Sequence, residues 1–133
     1  MEETNKEQET RPLILVAEDD DSNFKLINAI LGKKYDILWA KNGAEMIELF
    51  KKHQAEAGAI LMDIKMPVMN GLEATRVIRT LSSDIPIIVQ TAYAFSSDRE
   101  NAIESGASEV LVKPITLAAL RGCVTKYFPQ ITW

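Results

Sequence analysis

Cysteine and histidine are nearly absent from this chain. Cys123 is the single cysteine among 133 residues, so no internal disulfide can form, which fits a reducing compartment. It reads as a small core residue of the last helix. The single histidine, His53, lies in Lys51-Lys52-His53-Gln54. It reads as a solvated helix-end residue rather than a phosphodonor or a ligand. Long apolar runs are missing too. Nothing approaches the ~20 residues that a membrane span needs. Met1 to Thr10 lacks the apolar core of a signal peptide. Basic charge is not in excess: 15 Lys and Arg face 19 Asp and Glu, for a net charge of −4. That argues against nucleic acid as the direct partner, because phosphate binding wants a basic face. There are no internal repeats. The expectation is a cytoplasmic domain with no membrane contact of its own.

What is present is a globular core, with 47% hydrophobic residues in a length that suits one domain. Residues 1–11 hold Glu2, Glu3, Glu7 and Glu9 and read as a flexible charged leader or linker. The domain is expected over 12–129, with 130–133 as a tail too short for a second domain. Apolar runs at 13–17, 35–40, 59–62, 85–89 and 109–112 are short and rich in Ile, Leu and Val, as buried parallel strands should be. Amphipathic stretches lie between them. Phe24, Ile27, Ile30 and Leu31 share one helical face. Ala74, Val77, Ile78 and Leu81 share another, and so do Leu117, Leu120, Val124 and Tyr127. Asn42 with Glu45, Asn70 with Glu73, and Ser97 with Glu100 have capping-box spacing. The Asn-Gly pairs could also form hairpin turns, but helical periodicity follows each one. Strands alternating with helices predict an α/β domain with a doubly wound, five-stranded parallel sheet.

Sites on such a sheet form beyond the carboxyl ends of the strands. The first run ends at Glu18-Asp19-Asp20, the third at Asp63, the fourth at Thr91-Ala92 and the fifth at Lys113-Pro114. Carboxylates that converge there repel and would take up protons or a cation. Oxygen ligands suit Mg²⁺. Asp63 can act as a nucleophile that forms an acyl phosphate. Lys113 can neutralise phosphoryl charge, and Thr91 can hydrogen-bond a phosphoryl oxygen. Asp20 and Asp21 read as helix-start residues rather than metal ligands. Met62, Met66 and Met69 read as packing residues; Trp39 and Trp133 carry no motif.

These strand ends resemble the receiver domain of two-component response regulators. The matching motifs are Leu15-Val16-Ala17-Glu18-Asp19-Asp20, Leu61-Met62-Asp63-Ile64-Lys65-Met66-Pro67 with Asn70-Gly71, Thr91-Ala92, and Gly106-Ala107 followed by Val112-Lys113-Pro114. The resemblance runs from about Leu13 to Phe128. It implies a flavodoxin-like sheet of strand order 2-1-3-4-5. It implies that Asp63 takes a phosphoryl group from a histidine kinase or histidine phosphotransfer domain, and that the chain is a switch rather than an enzyme. Mg²⁺ would be held by Asp19, Asp63 and the backbone carbonyl of Lys65, with Glu18 acting through water. Lys113 would pair with the acids and then with the phosphoryl group. Thr91 would move toward that group, and Lys113-Pro114 would be cis.

Two positions depart from the usual pattern within the resemblance, and two more bear on its chemistry. Glu18 stands where Asp is commoner. Val110 replaces the usual Tyr or Phe that swings inward as Thr91 moves. Lys65 and Tyr93 occupy positions that tune hydrolysis of the acyl phosphate. The stretch Glu18 to Asn23 is similar to receivers of hybrid sensor kinases, with a free-standing regulator as the alternative, as a monomer or weak dimer. Two other readings stay open. A phosphatase of the haloacid-dehalogenase kind would need an Asp where Lys65 stands. A pseudo-receiver would bind its partner without phosphorylation.

Overall fold

The computed structural model of the chain describes residues 11–92 and 97–133. Residues 1–10 of the expected leader, and Tyr93, lie outside the described residues. The elements are β1 (Leu13–Ala17), α1 (Asp21–Leu31), β2 (Asp36–Ala40), α2 (Gly43–His53), β3 (Ala57–Asp63), α3 (Gly71–Leu81), β4 (Ile87–Thr91), α4 (Ser97–Ser105), β5 (Glu109–Val112) and α5 (Leu117–Thr125). All five strands are parallel, in the order β2-β1-β3-β4-β5. This is the flavodoxin-like order, with β3 at its centre.

Alternation along each strand divides the core in two. Leu15 and Ala17 face Met46 and Phe50 of α2 and Ala74 and Ile78 of α3. Ile14 and Val16 face Ile27, Ile30 and Leu31 of α1 and Leu120 and Val124 of α5. Both faces are covered, so the strands read as unbroken apolar runs. Each fully buried Leu or Ile contributes roughly 1.5–3 kcal/mol relative to exposure.

Several expectations need correcting. The fourth strand is Ile87–Thr91, not 85–89, because Pro86 has no N–H to donate. Its carbonyl still accepts from the Ile60 N–H at 2.9 Å. The slip brings Gln90 and Thr91 inside the sheet. The second strand starts at Asp36, leaving Tyr35 buried against the Phe128 ring, centroids 5.2 Å apart. Asn42 and Asn70 cap α2 and α3, each accepting from the N–H three residues on at 2.9 Å. Ser97 is the first residue of α4 rather than its cap. Thr116 caps α5, which the sequence reading missed. On α3, Ala74, Thr75 and Ile78 are the buried face, while Val77 and Leu81 are each 37% exposed. Leu117 is 47% exposed on α5.

Two polar clusters hold the end of the sheet away from the strand carboxyl ends. Arg79 of α3 donates to the Ile85 and Gly106 carbonyls, both at 2.7 Å, and to Ser108 Oγ at 3.2 Å. Glu109 accepts from Tyr127 Oη at 2.7 Å, Lys126 Nζ at 3.0 Å and Cys123 Sγ at 3.3 Å. Burial first, and the Glu109 carboxylate next, push the Cys123 thiol up to about 12, so it stays protonated. Beyond α5, Ile131 and Trp133 pack on the α1/α5 core, and the Trp133 ring lies 5.8 Å from that of Tyr35. Among the described residues, no helix is long and apolar enough to cross a membrane.

Candidate functional site

The ends of β1, β3, β4 and β5 and the residues after them form one polar cavity of about 230 Å³. Asp63 ends β3 and is 5% exposed. Glu18 follows β1 and is fully buried. Ala17 pairs with Met62, so the residues after them, Glu18 and Asp63, stand side by side. The Glu18 backbone is fixed from both directions. Its N–H donates to the Ala40 carbonyl at 3.0 Å, and its carbonyl accepts from Trp39 Nε1 at 2.7 Å. Trp39 stacks in turn on Phe24, with centroids 4.0 Å apart. The sequence reading gave Trp39 no role. The pairing of β1 with β2, which places Trp39 beside Val16, is the step that reveals one.

The loop after Asp63 is held by close approach. The Gly71 N–H donates to the Ile64 carbonyl at 2.8 Å. A Cβ on Gly71 would lie 2.0 Å from the Asp63 carbonyl oxygen, so no side chain fits there. Lys113 reaches in from beyond β5. Its Nζ lies 3.1 Å from Asp63 Oδ1 and 3.8 Å from Glu18 Oε1. Its backbone N–H bonds the Thr91 carbonyl at 2.7 Å, and the Lys113-Pro114 bond is cis, as expected. Thr91 is buried and its hydroxyl donates to Asp98 Oδ2 at 3.4 Å. Asp98 is a second residue that the sequence reading missed.

Burial, and then the neighbouring Asp63 charge, raise Glu18 to about 7; Lys113 and the Asp20 N–H pull it back. Burial also raises Asp63, against the opposing pull of Lys113. Ligand oxygens of Glu18, Asp19 and Asp63 lie within 4.8 Å of one another. Glu18 Oε1 is buried and accepts no hydrogen bond. Three carboxylates against one ammonium leave a negative site of oxygen donors, which fits a hard divalent cation such as Mg²⁺.

The remaining expected residues are placed as follows. Asp20 caps α1, accepting from the Asn23 N–H at 2.8 Å, and Asp21 lies in its first turn. The exposed Lys65 lines the cavity. Val110 pairs with Val89 and packs, half-buried, on the α2/α3 core rather than on the cavity. His53 ends α2 at the other edge of the sheet, 3.6 Å from Glu56.

Similarity to known proteins agrees with this geometry. The response regulator receiver domain model matches residues 14–125. A hybrid signal transduction histidine kinase of Dictyostelium discoideum is 41% identical over 110 residues, covering 77% of this chain and 6% of that protein. The chain spans less than half the length of the curated relatives it matches. The receiver domain of the sensor histidine kinase PA1611 of Pseudomonas aeruginosa PAO1, with magnesium in its active-site cleft, superposes with a TM-score of 0.80 at 32% identity, covering 89% of this chain and 98% of that one. The receiver of Ssk1 from Saccharomyces cerevisiae, in complex with the histidine phosphotransfer protein Ypd1, gives 0.81 at 28% identity over 88% of each chain.

Proposed function

The chain belongs to the response regulator receiver domain family, and from that premise we propose that Asp63 accepts a phosphoryl group from a partner's phosphohistidine. The observation that carries the proposal is the Lys113 ammonium 3.1 Å from a buried carboxylate at a strand end. Asp63 attacks phosphorus, the N–P bond breaks, and the imidazole leaves with that electron pair. Lys113 then follows the transferred charge. Asp19 and Asp63, with the Lys65 carbonyl and Glu18 through water, would hold Mg²⁺. The cation supplies charge neutralisation for the phosphoryl oxygens. Thr91 exchanges Asp98 for a phosphoryl oxygen as its hydroxyl turns. Val110 cannot give the inward aromatic swing, and Lys65 and Tyr93, two residues after Asp63 and Thr91, tune hydrolysis of the acyl phosphate. Phosphorylation shifts a standing equilibrium rather than turning over an external substrate, so the domain is a switch and not an enzyme.

Residues 12–129 form this receiver unit, joined through 1–11, in the cytoplasm. Likeness to the Dictyostelium hybrid kinase and to the PA1611 receiver supports a place within a hybrid kinase, rather than a free-standing regulator. The partner is a histidine kinase or histidine phosphotransfer domain. The half-exposed Leu26, which lines the cavity adjoining the site, supports docking there. Acetyl phosphate with Mg²⁺ should add ~80 Da, one phosphoryl group, in intact mass. An adduct that persists in Asp63→Asn, or none in the parent chain, would overturn the reading.

A further inference from the structure

Gln90 is a buried polar residue of this site that the mechanism leaves unused. It lies in β4 directly opposite Asp63 of β3. Alternation turns its side chain to the same side as Ile88, toward α1 and α5. It is 1% exposed, and its Nε2 has no hydrogen-bond partner. A buried amide without a partner destabilises a fold, and an apolar side chain of similar size would avoid that cost. Such a group calls for an explanation outside the free domain.

Two cavities meet at Gln90. One is the phosphoacceptor cavity. The other, about 340 Å³, has apolar walls from Leu26, Ile27, Pro114 and Ile115. Asn23, Gln90, Ala92 and Lys113 line both. A partner that brings a histidine to Asp63 therefore covers the apolar cavity as well. Lys113 is already engaged by Asp63. Of the two side-chain amides that line both cavities, Asn23 and Gln90, that of Gln90 is the buried one whose Nε2 has no partner. The last bond of a Gln side chain has a broad, two-fold preference, so a turn about it brings the N–H₂ to the cavity.

We infer that Gln90 is a specificity-determining residue for phosphotransfer, donating a hydrogen bond to a neutral oxygen, hydroxyl or carboxamide, that the histidine-bearing partner seats in the apolar cavity. A carboxylate is disfavoured there by Glu18, Asp19 and Asp63, whose ligand oxygens crowd within 4.8 Å. This rests on the phosphoacceptor reading above. Small phosphodonors do not span the second cavity, so they separate the two claims.

The test compares the parent chain with Gln90→Leu and Gln90→Met, using acetyl phosphate and phosphorylated Ypd1 as donors. Both variants should be labelled by acetyl phosphate within about two-fold of the parent and should melt higher. Transfer from Ypd1 below saturation should fall about ten-fold, the effect of one lost hydrogen bond. In the parent, the Gln90 side-chain N–H₂ resonances should shift when unphosphorylated Ypd1 is added. Unchanged transfer in the variants, equal slowing with both donors, or resonances that stay put would each overturn the inference. A parent labelled by acetyl phosphate but not by Ypd1 would also overturn it. A parent that neither donor labels overturns the phosphoacceptor reading itself.

Discussion

Asp63 has its reactivity from two opposed neighbours: burial that disfavours its charge and Lys113, 3.1 Å away, that favours it. Gly71 sets where that carboxylate sits. Gly71→Ala would drive a methyl group into the Asp63 carbonyl, at 2.0 Å, and into Met62 Cγ, at 2.8 Å. It should cost about 3 kcal/mol or more in urea unfolding and slow labelling by acetyl phosphate. A variant as stable and as readily labelled as the parent would refute this account of the loop. The acids, Thr91 and Lys113 were legible in the sequence because each follows an apolar run. Trp39 and Asp98 were not, because their contacts join residues far apart in the chain or across a loop. Val68 was not legible either. It takes a positive φ of 69° between Pro67 and Met69, a conformation that no β-branched residue announces.

At the scale of elements, strand and helix identities were legible from periodicity, and the errors were local. Pro86 moved β4 by two residues, and that shift carried Gln90 into the sheet beside Asp63. The Arg79 cluster was invisible in sequence, since it joins α3 to the α4–β5 loop through backbone carbonyls, and carbonyls have no signature. Gly106, at φ 111°, turns its carbonyl toward Arg79 and has no room for a side chain, because a Cβ would meet Arg79 Cγ at 2.6 Å. Arg79→Met should cost about 2–3 kcal/mol through the carbonyls left unpaired, seen as a lower urea midpoint. Amides of 106–108 should exchange faster, while labelling of Asp63 persists. Unchanged exchange there would show that the cluster does not hold the loop.

For the molecule as a whole, the acid pair couples folding to pH and to cations. Glu18 is raised from 4.5 to about 7, so the folded state holds a proton that the unfolded state releases. The contribution of this group to stability is full below pH 4.5 and is lost as pH rises through about 7. Asp63 shifts in the same direction. Cation binding needs the ionised forms and acts in the opposite sense. Without Mg²⁺ the parent should lose stability over this window relative to Glu18→Gln, on the order of 1–3 kcal/mol. At pH above 7, Mg²⁺ at ~100 times its dissociation constant should raise the parent's melting temperature by roughly 5–10 °C, with little effect near pH ~5. Parallel pH profiles for the two chains would refute the coupling. The parallel sheet and its two covered faces followed from alternating runs of strands and helices, while the strand order followed from the resemblance carried by the strand-end motifs. The field inside the site did not, because it depends on how deep each carboxylate lies.

The indole of Trp39 has one further consequence. It is bonded to the Glu18 carbonyl at 2.7 Å and stacked on Phe24, at the edge of the charged cluster. Trp133, the other of the two tryptophans, lies against Tyr35 and Arg121, across the α1/α5 core. The domain thus contains its own pair of fluorophores, a gauge beside the site and a reference away from it. Changes of charge at Asp63 have an optical readout that needs no attached dye.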